Sequence, residues 1–62
     1  MELKVQSMAC SACSDTITKA IKAVDPNAMV QADPKTKLVN VETEKPETEI
    51  RNAIASAGYP VS

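Results

Sequence analysis

The chain has no histidine, no tryptophan and no phenylalanine, and Tyr59 is its single aromatic residue. With so few bulky rings it has little to line a large apolar ligand pocket, although 44% of its 62 residues are apolar, mostly Ala, Val and Ile. Surplus charge is also missing. Seven Lys and Arg stand against eight Asp and Glu, for a net charge of −1, which argues against the clustered positive field that nucleic-acid binding needs. No apolar run approaches the roughly 20 residues that span a bilayer, and no charged-then-apolar N-terminal stretch resembles a signal peptide. The expectation is a cytoplasmic chain without membrane insertion, in which reducing buffers keep Cys10 and Cys13 as working thiols. At this length residues 1–62 make one domain, able to bury only about 60% of its unfolded surface.

What is present is organised around Ser7-Met8-Ala9-Cys10-Ser11-Ala12-Cys13, which holds both cysteines. Before it, Glu2 to Gln6 alternates polar and apolar residues as a half-buried strand does, with Leu3 and Val5 inward. After it the period changes: Cys13, Ile17, Ala20, Ile21 and Val24 form one stripe of a helix that starts near Ala12. Ser11 is the expected N-cap and Asp15 an acid suited to the positive end of the helix dipole. Pro26 ends that helix. Ala28, Val30 and Ala32 then alternate as a second strand, Asp33-Pro34-Lys35-Thr36 turns, and Lys37 to Thr43 returns as a third, with Val39 and Val41 on one face. Pro46, Glu47 and Glu49 open a second helix. Its stripe is Ile50, Ala53, Ile54 and Ala57, and Gly58 stands where a left-handed C-terminal residue belongs. Tyr59-Pro60-Val61 offers at most a brief closing strand. The order βαββαβ predicts an α+β fold, the ferredoxin-like plait, with a four-stranded antiparallel sheet and both helices on one face.

This order sets Cys10 in a loop and Cys13 in the first turn of a helix, where free amides and the positive dipole end favour thiolate over thiol. Such a pair can be a redox couple, half of a zinc site or a two-sulfur seat for a soft ion. Structural zinc and iron–sulfur clusters want four ligands, and the chain supplies two cysteines and no histidine. A two-sulfur site suits Cu(I) among the soft ions and stays open to attack by another thiol. A thioredoxin-like role also uses C-x-x-C, but in a longer context than this chain provides.

Met8-Ala9-Cys10-Ser11-Ala12-Cys13 matches the M-x-C-x-x-C motif of heavy-metal-associated domains, and the likeness extends to length, element order and the Ala57-Gly58-Tyr59 close. The chain resembles the small soluble copper chaperones of bacterial and cyanobacterial type more than a transporter fragment. The resemblance implies a non-enzymatic carrier that binds Cu(I) through Cys10 and Cys13 and passes it to the N-terminal metal-binding domains of copper-transporting P-type ATPases. It also implies Met8 packed inward under the loop, and Tyr59 either at the rim of the core or near the metal. The expected docking face comprises Ser7, Ala9, Ser11, Ala12, Ser14, Asp15, Lys19 and Gly58, with Lys19 and Lys22 otherwise a solvated helix face. A copper-bridged homodimer is compatible with two thiolates from each copy. Relatives often carry Gly where Ser7 stands, and Thr or His where Ala9 stands; zinc-type relatives place Asp at the latter position. Mercury- or zinc-carrying relatives and a thiol–disulfide oxidoreductase are the alternatives.

Overall fold

The computed structural model describes residues 1–61. Its elements are β1 (Glu2–Lys4), α1 (Ser11–Val24), β2 (Met29–Asp33), β3 (Leu38–Glu42) and α2 (Glu47–Ser56). Strand alternation does what the sequence predicts. Leu3 is buried between exposed Glu2 and Lys4, and Val39 and Val41 are buried around exposed Asn40. One face of the sheet is therefore apolar and the other polar, the pattern of an antiparallel sheet covered on one side.

β3 lies in the middle, paired antiparallel to both neighbours in the order β1-β3-β2. Leu3 stands opposite Val39 in one ladder and Val30 opposite Val41 in the other. Backbone bonds outside the strands extend the first ladder: the Met1 ammonium donates to the Val41 carbonyl at 2.9 Å and the Val5 amide to the Lys37 carbonyl at 2.8 Å. Both helices close over the apolar face. Ile17 and Ile21 from α1 and Ile50 and Ile54 from α2 join Leu3, Val5, Met8, Ala28, Val39 and Val41 in one core. Each of these side chains except Ala28 contributes roughly 1.5–3 kcal/mol when removed from water, and no buried polar or charged residue offsets this among the described residues.

Three expectations are corrected in detail. The sheet has three strands among the described residues, because residues 59–61 run beside the core without a ladder. Pro60 in the middle of that stretch has no amide to donate. The order of the other five elements, βαββα, and the layering of the ferredoxin-like plait are as expected. Second, α1 begins at Ser11 with Cys10, in extended backbone (φ −153°, ψ 170°), as its N-cap. The Cys10 carbonyl accepts the amides of Cys13 (3.1 Å) and Ser14 (3.2 Å), so the helix opens one residue earlier than the serine suggests. Third, the first turn of α1 contains no acid, since Asp15 falls beyond it.

The exit from α2 decides where Tyr59 lies. Gly58 has φ +96°, its amide donates to the Ala55 carbonyl (3.0 Å), and the Tyr59 amide donates back to Ile54 (3.2 Å). These are the two bonds of a Schellman motif, with glycine at its left-handed position. The reversal turns Tyr59 back against the core.

Candidate metal centre

The loop before α1 is pinned by two fully buried side chains, Val5 and Met8. Between them the exposed Gln6 and Ser7 turn the chain, closed by the Met8 amide donating to the Val5 carbonyl at 3.1 Å. Met8 is further held from two directions: the Ser14 hydroxyl approaches its sulfur at 3.6 Å, and the Lys37 ammonium donates to its carbonyl at 2.8 Å. A thioether is an adaptable filler for such a gap. With the chain anchored at Met8, Ala9 and Cys10 emerge into solvent just as the helix begins.

Cys10 is exposed, Cys13 is half-buried, and both are free thiols. Their sulfurs stand 3.2 Å apart, so both face a single point at the surface. Among the described residues no cluster of three or more His, Cys, Asp or Glu side chains is placed to hold an ion. The pair is a two-donor site open on its solvent side.

Tyr59 completes the surroundings. Hydrogen bonding with Tyr59 is the largest cause that lowers the Cys13 thiol from 9.0 to about 7, followed by the Ala9 backbone and the Cys10 side chain, with partial burial opposing. The reciprocal effect is visible on the phenol. Its interaction with Cys13 raises Tyr59 above its usual range, desolvation adds to this, and a hydrogen bond with Thr16 works the other way. A phenol that donates to a sulfur stabilises thiolate over thiol, and thiolate is the form that binds metal or attacks as a nucleophile.

Of the other residues singled out from the sequence, Ser7, Ala9, Ser11, Ala12, Asp15 and Gly58 are exposed. Ser14 is half-buried, with its hydroxyl turned to Met8. Lys19 is exposed further along α1, roughly 9 Å down the axis from Cys13 at 1.5 Å per residue. Two contributors lie outside that set. Thr16 sits three residues after Cys13, a helical spacing that places the two on neighbouring positions of one face, so its reach to the site is discoverable from the sequence. Lys37 is 29 residues from Met8, and no local pattern announces that pairing.

No helix among the described residues is long and apolar enough to cross a membrane. The family model for the heavy-metal-associated domain matches residues 2–60. No curated protein matches the chain by sequence. Among solved structures, the copper chaperone Atx1 from Synechocystis PCC6803, in a trimeric histidine-to-tyrosine mutant form, is 42% identical with a TM-score of 0.98, over 100% of this chain and 98% of that one. A cyanobacterial copper metallochaperone, ScAtx1, solved in solution, is 40% identical with a TM-score of 0.81, over 100% and 97% of the two chains. A gold binding protein is 39% identical with a TM-score of 0.95, over 98% and 94%. With a thiol pair at the head of its first helix and a family match along nearly its whole length, the chain belongs to the heavy-metal-associated domain family.

Proposed function

We propose that the protein is a non-enzymatic Cu(I) carrier that holds its ion between Cys10 and Cys13 and releases it by thiolate exchange. The observation that carries this reading is the pair of free sulfurs 3.2 Å apart at the surface, with no third donor cluster beside them among the described residues. Two soft, anionic donors suit a soft ion, and two donors alone leave it under-coordinated. The similarity to the cyanobacterial copper chaperone structures and to a gold-binding protein supports soft-ion chemistry. A soft ion held between the two sulfurs would need them further apart than the 3.2 Å they keep here. Loading therefore spreads the pair, and the exposed Cys10 side chain is the one free to swing.

In transfer, a first partner thiolate would enter on the open side and Cys10 leave, then a second partner thiolate would enter and Cys13 leave, the ion passing through three-coordinate intermediates. Every step exchanges one metal–sulfur bond for another, so no free ion forms. The chemistry fits a partner that also presents paired cysteines, such as the N-terminal domains of copper-transporting P-type ATPases, in the cytoplasm. Ser7, Ala9, Ser11, Ala12, Ser14, Asp15, Lys19 and Gly58 frame the contact, and the same geometry permits a copper-bridged pair of copies.

Competition against a Cu(I) chelator, with X-ray absorption on the loaded protein, tests the reading. The wild type should retain one Cu(I) in a sulfur-only shell, and the Cys10→Ser/Cys13→Ser variant should lose tight binding while keeping its circular dichroism. A first shell dominated by nitrogen or oxygen, or undiminished binding by the double variant, would overturn it.

A further inference from the structure

Lys37 is the one non-glycine residue with positive φ among the described residues, at +66°. That is the left-handed region, where a side chain crowds its own backbone and where Gly or Asn is the usual occupant. The geometry comes from the β2–β3 turn. Asp33 accepts the Lys35 amide on its side chain (2.9 Å) and the Lys37 amide on its carbonyl (2.9 Å), which leaves residue 37 to bring the chain back into β3. A lysine has no conformational reason to be there. Strain kept at one residue points to work done by its side chain.

That work is visible at the neighbouring loop. The Lys37 carbonyl accepts the Val5 amide at 2.8 Å, and the Lys37 ammonium donates to the Met8 carbonyl at 2.8 Å. One residue thus brackets both ends of the turn that leads into Cys10. The bond to Met8 is charge-assisted and partly shielded from solvent, the kind that holds geometry best. We propose that Lys37 is a positioning residue for the thiol pair. Its ammonium latches the Met8 carbonyl, fixes where the chain rises to Ala9 and Cys10, and thereby slows the spreading of the sulfurs through which the ion escapes.

The inference rests on the Cu(I) carrier reading for its consequence, but the latch itself has a metal-free readout. Lys37→Gly is the informative variant: it keeps the carbonyl that accepts from Val5, relieves the backbone strain, and removes the whole side chain with its ammonium. Lys37→Met removes the ammonium and keeps the stem, while Lys37→Arg preserves a charged donor. In the metal-free protein, amide exchange at Met8, Ala9 and Cys10 should quicken in the Gly and Met variants, with β3 amides unchanged. In the loaded protein, Cu(I) release to a chelator should be about tenfold faster in both, the scale of one partly solvated charge-assisted hydrogen bond. Arg should keep both rates close to wild type.

Unchanged loop exchange in both the Gly and Met variants would refute the latch whether or not copper binds. Quickened exchange with unchanged copper release would refute its part in metal retention. An effect of Met without an effect of Gly would assign the role to backbone conformation and overturn the proposal. A wild type that fails to hold Cu(I) at all would instead strike the carrier reading, leaving the exchange data to decide the latch.

Discussion

Helix α1 starts from Cys10 and α2 from Pro46; each starting residue is extended and neither offers a side-chain cap. Beyond that the two starts diverge. Helix α2 carries Glu47 and Glu49 in its first turn, whereas the first turn of α1 has no acid. Both ends expose unpaired amides and the positive pole of a helix dipole. At α2 two carboxylates stand at that pole. At α1 no acid takes that place, and the two cysteines stand at the helix start instead. On the carrier reading proposed above, withholding a local anion matters to the site as much as supplying two thiols.

Making the first start resemble the second should therefore have the largest effect. Ala12→Glu sets a carboxylate in the exposed first turn of α1, between the two cysteines in sequence. Helix stability should hold or rise slightly, because an acid suits that end. The thiolates should suffer: the Cys13 thiol should move up from about 7, and Cu(I) affinity should fall by about three- to tenfold, the equivalent of up to about one pKa unit. Chelator competition near neutral pH reads the loss. Unchanged affinity would mean that the missing acid is incidental.

The next test probes what α1 has in place of an acid. Tyr59→Phe removes the hydroxyl that is the largest cause of the lowered Cys13 thiol, so the ultraviolet thiolate titration of the metal-free protein should shift to higher pH. The sign for stability follows from the same depression. Deprotonation of Cys13 favours the fold above 9.0, and this contribution is lost as pH falls toward about 7; Phe should narrow that window from below. Copper retention should match wild type above the titration and weaken within it, whereas Tyr59→Ala should also expose the half-buried side of the site. Identical titrations for all three would remove Tyr59 from the site's electrostatics.

The contrast between the two helix starts also marks how far residue types alone can specify this fold. Strand alternation at Leu3 and Val5 and at Val39 and Val41, and the helical stripes of Ile17 and Ile21 and of Ile50 and Ile54, are local patterns that survive folding unchanged. The C-x-x-C pair at a strand-to-helix junction is equally local. The boundary at Cys10 is hidden in the sequence because Ser11 is the better cap chemically, yet extended backbone at Cys10 sets the start. A closing strand is suggested too readily at residues 59–61, because alternation says nothing of whether a partner edge can accept a chain with proline in its centre. The Tyr59–Cys13 and Lys37–Met8 relations join residues distant in sequence through the Schellman reversal after α2 and the left-handed turn before β3. Gly58 announces the first reversal but not which side chain Tyr59 then meets, and nothing in the residue type of Lys37 announces the second.

The smallest expected effect lies at the other start and serves as the control. Glu49→Gln removes one carboxylate from the first turn of α2 while leaving the exposed Glu47–Arg51 pair, 2.8 Å apart, in place. An acid near a helix N-terminus is worth about 0.3–1 kcal/mol at low ionic strength, so thermal unfolding should come a few degrees earlier in dilute buffer. The difference should shrink at high salt, where screening weakens the dipole interaction. Copper retention and the Cys13 titration should not move, because the sulfurs belong to the other helix. A change in either would mean that the two helix ends communicate through the Ile50 and Ile54 packing, and the charge contrast between them could then no longer be treated as two independent local choices.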